Sequence, residues 1–186
     1  LHTYYMSKIL ILSAGTSKNS YNSQLARHLS VHMSENNLDN NIYENLFEGI
    51  PFLLDPNDDV PEKIVSMRKS FEKSDKLIIF SPVYNGGFLA HLKNVLDWLS
   101  LAYDDKRYNS LFKDKHVAVV TTVKGVGGNA EKAFEILSMQ LSNYGLVVFE
   151  NFHLITKSDH LNLDDITKNN QILESLHTFI NEFLNE

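Results

Sequence analysis

The chain has 186 residues, 43% of them apolar and none of them cysteine, and carries a formal charge of −6. That length suits one domain with a sizeable core, and the acidic balance without a Lys/Arg-rich block disfavours a duplex nucleic-acid binder, which needs a basic face to neutralise phosphates. Without thiols there are no disulfides, thiolate nucleophiles or thiolate-ligated metals, so stability has to come from packing.

Leu1 to Tyr5 precede a candidate initiator, Met6, and are expected to be an expression remnant or a disordered N-terminus, so the domain is read as residues 6–186. The apolar run Ile9 to Leu12 is far shorter than a secretion signal, and no segment approaches a membrane span. A cytoplasmic protein is the expectation. Lys8 to Ala14 (KILILSA) is a continuous apolar run ending at Gly15, which reads as a strand buried on both faces. Leu25, Leu29 and Met33 then recur at helical spacing, and Asn41 to Phe47 supplies a weaker second strand. Asp59 is a candidate cap before Val60 and Pro61, with Ile64, Met67 and Phe71 on one helical face and Lys76 to Phe80 (KLIIF) as the third strand. Leu89, Leu92, Leu96 and Leu99 mark a third helix, and His116 to Val123 (HVAVVTTV) a fourth strand. Ala130 to Tyr144, closed by Gly145, give a fourth helix. Leu146 to Phe149 is the last strand, and a final helix runs from about Asp164 with Leu173, Leu176, Ile180, Phe183 and Leu184 inward.

Five strands alternating with five helices imply an α/β fold: a parallel sheet covered on both faces, with right-handed crossovers. The expected strand order is 2-1-3-4-5. A ligand in such a sheet sits beyond the carboxyl ends of the strands, where the order reverses. The loops after strands one, three and four are therefore the places to look for chemistry.

Ser13 to Ser23 (SAGTSKNSYNS) is crowded with small hydroxyl and amide side chains that can donate to phosphate oxygens, while N–H groups at the helix start face the same anion. A solvated loop with an N-cap is the competing reading. Ser81 to Ser100 reads SPVYNGGFLAHLKNVLDWLS: Pro82 closes the strand, Tyr84 offers an aromatic face, Asn85 an amide, and Gly86-Gly87 close approach to a planar ligand. A plain strand-to-helix turn, with Trp98 buried in the third helix, is the alternative there. Lys124 to Asn129 (KGVGGN) is the third, glycine-rich loop.

Pro82, Tyr84, Asn85, Leu92, Lys93, Asn94, Asp97 and Trp98 resemble the P-x-Y-N and L-K-N-x-x-D-W segments of the NADPH-dependent FMN reductase family. In that register Ser20, Asn22, Leu25 and Ala26 resemble the family's phosphate-binding segment, and Gly125, Gly127 and Gly128 its glycine-rich segment against the flavin ring. Two positions depart from it: Ser17-Lys18 where many relatives have Arg, and Leu89-Ala90 where they often have Pro-Gly. The resemblance implies a flavodoxin-like three-layer sandwich that binds FMN and uses NADPH or NADH as co-substrate. The acceptor would be a small quinone, azo compound, metal ion or free flavin. It places Ser13, Ser17, Lys18, Ser20 and Asn22 around the phosphate, and Pro82, Val83, Tyr84, Asn85, Gly86, Lys124, Gly125 and Gly128 beside the ring. No side chain is needed as a catalytic acid or base, because the flavin carries the chemistry.

Homodimers or homotetramers are expected by the same resemblance, with a half-exposed Trp98 helix as a contact; a monomer with Trp98 in its own core is the other reading. No nucleic-acid, membrane or metal partner is expected. His28 and His32 stand four apart on the first helix but lack a carboxylate to complete a metal site, so a surface or partly buried pair is expected. Tyr103 to Tyr108 reads as a solvated loop, with a rim over a neighbouring subunit's site as the alternative. The rival functions are a flavodoxin-like electron carrier and a flavin-free binding protein on the same fold. The carrier's usual T-x-T-G-x-T turn is absent.

Overall fold

The computed structural model describes residues 8–17 and 19–186. The strands are β1 (Lys8–Ser13), β2 (Asn40–Tyr43), β3 (Ser74–Phe80), β4 (His116–Thr122) and β5 (Val147–Ile155), all parallel, in the order β2-β1-β3-β4-β5. The helices are α1 (Tyr21–Glu35), α2 (Glu62–Glu72), α3 (Ala90–Ser100), α4 (Ala130–Asn143), the four-residue α5 (Lys157–His160) and α6 (Asn170–Asn185). This is the strand order that the alternation of elements predicts, and the flavodoxin-like arrangement that the family resemblance implies.

Side chains on a strand alternate between faces, and both faces of the central strands are apolar. Leu10, Leu12, Leu77, Ile79, Val117 and Val119 point to one face, packed by Ile64, Met67 and Phe71 of α2, Leu92, Val95 and Leu96 of α3, and Leu137 and Leu141 of α4. Ile9, Ile11, Ile78, Phe80, Ala118 and Val120 point to the other, under Leu25, Leu29 and Met33 of α1 and Leu176, Ile180 and Phe183 of α6. Two cores thus sandwich one sheet. Their consequence for function is positional, because every β-to-α loop leaves from the same edge. Among the described residues no helix is long and apolar enough to cross a membrane.

The structure differs from the sequence reading at several boundaries. β2 stops at Tyr43, not Phe47, and β5 continues to Ile155 after an irregular register against β4 between Val117 and Val119. Asp59 does not cap α2, whose N-cap position is Pro61. Asp165 caps a short 3₁₀ turn, Ile166–Lys168, through the Thr167 N–H, and α6 begins only after Asn169, whose side chain accepts from the Ile172 N–H. Trp98 is 1% exposed and belongs to the core of its own chain, so the half-exposed contact helix expected around it is corrected: an indole already covered has no face to offer a second copy.

Candidate functional site

The first loop is shaped by a close approach. A Cβ on Gly15 would lie 2.3 Å from the Ser20 Oγ and 2.5 Å from the Ser23 Oγ, so only glycine lets β1 turn this tightly into α1. Ser20 donates its N–H to the Ser17 carbonyl at 3.0 Å and makes no side-chain cap, and the first turn of α1 holds no acidic residue. The helix start therefore keeps the partial positive charge of its N–H groups.

Three sets of hydrogen bonds bring the loops together. Ala14 donates its N–H to Phe80 O at 2.8 Å, and the Ala14 carbonyl accepts from His91 Nε2–H at 3.0 Å, joining the first loop to β3 and α3. Thr16 Oγ1 and the Tyr84 hydroxyl lie 3.2 Å apart across the first and second loops. The Asn22 amide grips the end of β4 at both groups of one residue: Nδ2 donates to Thr122 O at 3.3 Å, and Oδ1 accepts from Thr122 N–H at 3.1 Å.

Between these loops lies a cavity of about 400 Å³, lined by Thr16, Ser17, Ser20, Tyr21 and Asn22 from the first loop, Pro82, Val83 and Tyr84 from the second, and Thr122, Val123, Lys124 and Gly125 from the third. That volume is within the range of small-molecule and cofactor sites. Thr122 is 4% exposed, and its hydroxyl is buried without a hydrogen-bond partner among the described residues. A buried hydroxyl left unpaired is costly, and one on a cavity wall is a vacant partner for a polar ligand. The Tyr21 hydroxyl is pushed above its usual range by burial, with Asp164 adding to the shift, so it stays a hydrogen-bond donor at neutral pH.

Ser17, Ser20, Asn22, Pro82, Val83, Tyr84, Lys124 and Gly125 thus line one cavity. Other residues expected at the site sit elsewhere. Ser13 is fully buried behind the loop, sharing a 2.9 Å hydrogen bond with the Ser23 hydroxyl. Asn85 (φ 52°) and Gly86 (φ 75°) are the two central residues of a tight turn in which Tyr84 and Gly87 exchange both backbone hydrogen bonds at 3.0 Å. Positive φ at both positions is the mirror-image turn that Asn-Gly favours. Their residue types are explained by that turn, and neither borders the cavity. Gly128 lies off the cavity as well, and Lys18 lies outside the described residues. Sequence reasoning missed Thr16, Tyr21, Thr122 and Val123. Thr16 and Tyr21 stand inside the first loop's hydroxyl-rich string, but Thr122 and Val123 were hidden in an apolar strand run.

The L-K-N-x-x-D-W segment is scaffold. Asn94 donates Nδ2–H to Pro51 O at 2.9 Å and accepts from Leu53 N–H at 2.9 Å, while Trp98 Nε1–H donates to the same Pro51 carbonyl at 2.8 Å. Lys93 pairs with Asp97 at 2.6 Å, and Asp97 also accepts from the Tyr144 hydroxyl at 2.6 Å. Burial, then this bond to Asp97, raises the Tyr144 hydroxyl well above its usual range. α3 is thereby fastened to the segment after β2 and to the end of α4.

Two other groups of residues have a structural account. Tyr103, in the 103–106 turn, lies under the Arg68 guanidinium at 4.2 Å and donates its hydroxyl to Glu72 at 2.8 Å. His28 and His32 of α1 are joined by His177 of α6, with His28 Nε2 3.1 Å from His177 Nε2 and His32 stacked on His177 at 3.8 Å. Burial, then the two neighbouring imidazoles, push His177 down to about 4.

Residues 7–159 match the family model described as NADPH-dependent FMN reductase. An NADPH:quinone oxidoreductase of Arabidopsis thaliana is 29% identical over 143 residues, a stretch covering 68% of this chain and 66% of that relative's length. Among solved structures, the FerB flavoenzyme NAD(P)H:(acceptor) oxidoreductase of Paracoccus denitrificans superposes with a TM-score of 0.76 at 22% identity, over 96% of each chain. An oxidoreductase of Corynebacterium diphtheriae gives a TM-score of 0.68 at 17% identity, over 98% of this chain and 99% of that one. With the family model spanning most of the chain and the fold shared along nearly all of it, this protein belongs to the NADPH-dependent FMN reductase family.

Proposed function

We propose that the chain is an FMN-dependent oxidoreductase that takes reducing equivalents from NADPH or NADH and delivers them to a small acceptor: a quinone, an azo compound, a metal ion or a free flavin. The observation that carries this reading is the meeting of three loops at the switch point between β1 and β3, around a cavity with an uncapped helix start at one end and an unpaired buried hydroxyl in its wall. In this reading Ser17, Ser20 and the N–H groups opening α1 hold the phosphate. The Asn22 side chain is committed to Thr122, so Asn22 acts as a brace and offers the ligand its backbone. Pro82, Val83 and Tyr84 on one side, and Thr122 to Gly125 on the other, flank the ring. FMN, when bound, supplies the acceptance of electrons from the nicotinamide nucleotide and their delivery to the acceptor. The residues supply position, hydrogen bonds and shielding, and the NADPH:quinone oxidoreductase relative supports a quinone among the acceptors.

The same reading places the protein in the cytoplasm, where both nicotinamide nucleotides are available, as a homodimer or homotetramer. The segment after β2 supports the assembly: it is pinned by α3 at Pro51 and Leu53, yet leaves Phe47, Phe52 and Leu54 exposed. The functional test is the visible spectrum of the purified protein with FMN, followed by anaerobic NADPH or NADH. Bleaching of bound flavin on adding the nucleotide is expected. Bound flavin that keeps its colour would instead make the chain an electron carrier, and failure to take up FMN would make it a flavin-free binding protein.

A further inference from the structure

A histidine outside the cavity braces two of its walls. His160, at the end of α5, is 0% exposed. Its Nδ1 accepts from the Asn162 N–H at 3.0 Å, which places the ring proton on Nε2, and that Nε2–H donates to the Val123 carbonyl at 3.0 Å. The imidazole also packs against the Tyr21 ring, with centroids 4.7 Å apart and planes tilted by 52°. Tyr21 in turn donates its hydroxyl to Leu163 O at 2.5 Å. Val123 and Tyr21 both line the cavity, so one buried ring ties the 160–163 turn to the first and third loops.

The turn that aims this ring is strained. Leu161 and Asn162 have φ of 48° and 56°, and a left-handed backbone is unfavourable for leucine. What the turn secures is the Asn162 N–H on Nδ1, and with it the ring's orientation and tautomer. Strain held in place by its surroundings is a feature of sites where geometry matters. The geometry at stake is one peptide plane. The Val123 N–H is fixed to Ile155 O at 3.0 Å and its carbonyl to His160. In a trans peptide the C=O and the following N–H point opposite ways, so the Lys124 N–H is turned away from His160. Lys124 itself lines the cavity.

We propose that His160 is a positioning residue for the flavin: by holding the Val123 carbonyl and the Tyr21 ring, it sets the Val123–Lys124 peptide so that the Lys124 N–H is presented to the ligand. This rests on the flavin reading above. The test compares FMN titrations, followed by quenching of flavin fluorescence, for the unaltered chain, His160→Gln and His160→Asn. Glutamine carries an amide nitrogen out to about the reach of Nε2 and still donates to Val123. Asparagine replaces Nδ1 as acceptor for Asn162 but is too short to reach Val123. Both lose the packing on Tyr21, so a purely structural role would weaken the two alike. The expected result is similar melting temperatures for the variants, with FMN affinity falling about tenfold in His160→Asn and largely retained in His160→Gln. A long-range proton–nitrogen NMR spectrum of the ligand-free unaltered chain is expected to show His160 protonated at Nε2 and bare at Nδ1. Equal affinities in the two variants, or a proton on Nδ1, would overturn the proposal while leaving the flavin reading intact. No FMN uptake by the unaltered chain would overturn both.

Discussion

Gly15→Ala isolates the steric requirement of the first loop. Gly15 does not have the positive φ that disfavours a side chain, so the substitution carries no backbone strain and acts only through its new methyl group. That carbon would stand 2.3 Å from the Ser20 Oγ, 2.5 Å from the Ser23 Oγ and 2.8 Å from the Ser20 Cβ. Hydroxyls can rotate away, but a Cβ moves only with its backbone, so the start of α1 has to shift. Overpacking of this kind costs about 1–3 kcal/mol. Displacing the Ser23 hydroxyl also breaks its 2.9 Å bond to Ser13 inside the protein, which adds about 1 kcal/mol. At about 2–4 °C per kcal/mol for a chain of this size, the melting temperature should fall by about 5–15 °C in thermal unfolding followed by circular dichroism. Gly125→Ala is the control. No atom of the described residues lies within 4 Å of its added carbon, so its stability should change by less than about 0.5 kcal/mol. Because Gly125 lines the cavity, its FMN affinity should nevertheless fall. Gly15→Ala melting within about 2 °C of the parent would refute the claim that close approach dictates glycine here.

Thr122→Val removes the unpaired hydroxyl at nearly constant shape, so the ligand-free protein should melt no lower than the parent and by up to about 1–3 kcal/mol more stably. FMN affinity measured by fluorescence quenching should move the opposite way. Asn22→Ala leaves the Thr122 N–H and carbonyl without their partner, and urea unfolding should show a loss of about 1–3 kcal/mol. Trp98→Phe deletes the Nε1–H bond to Pro51 and part of the ring, for a loss of about 1–2 kcal/mol in the same assay. Its oligomeric state by light scattering should match the parent's, because Trp98 faces its own core. His177 has a folded value of about 4 against an ordinary 6.5, so the unfolded chain binds the extra proton between those values. Its contribution to stability is therefore complete above pH 6.5 and is lost as the pH falls toward 4; melting temperatures recorded across that window should drop, and less steeply in His177→Gln.

What the sequence discloses follows from how local the cause is. β1, β3 and β4 are central strands buried on both faces, so their runs are continuously apolar and their limits fall close to the expected ones. β2 and β5 are edge strands with half-exposed or exposed polar residues, such as Asn40, Asn41, Glu150 and Asn151, so their patterns do not mark their limits: β2 ends before the expected segment does, and β5 continues past it. The final helix, expected from about Asp164, begins only after Asn169, because Asp165 caps a separate 3₁₀ turn and Asn169 caps α6 itself. At the site, the hydroxyl-rich string and Pro82 to Tyr84 were legible from type and position. Asn85 and Gly86, expected beside the ring, have residue types that their own turn also requires, so type alone does not separate the two roles. His160 and His177 were illegible for a different reason. Each acts on residues distant along the chain, Val123 and Tyr21 for His160 and the α1 histidines for His177, and no local spacing encodes such a pairing.

The most recognisable string in the sequence is not where a ligand would be held. The polar atoms of Asn94, Asp97 and Trp98 already bond to Pro51, Leu53, Lys93 and Tyr144, and a group so committed has nothing left to offer a cofactor. Their shared effect is to fix α3 against the segment after β2 and against α4, which sets where the second loop leaves β3. The cavity instead presents a few hydroxyls, the opening of α1 and the peptide groups of three loops. Backbone donors can be supplied by almost any residue, so a family can keep its cofactor while its cavity-lining side chains drift, provided the scaffold that aims the loops is kept. Substitutions in the L-K-N-x-x-D-W segment should therefore act on stability first and on FMN affinity through it, whereas Thr122→Val should lower affinity without lowering stability. That difference in order separates the residues that build the site from those that occupy it.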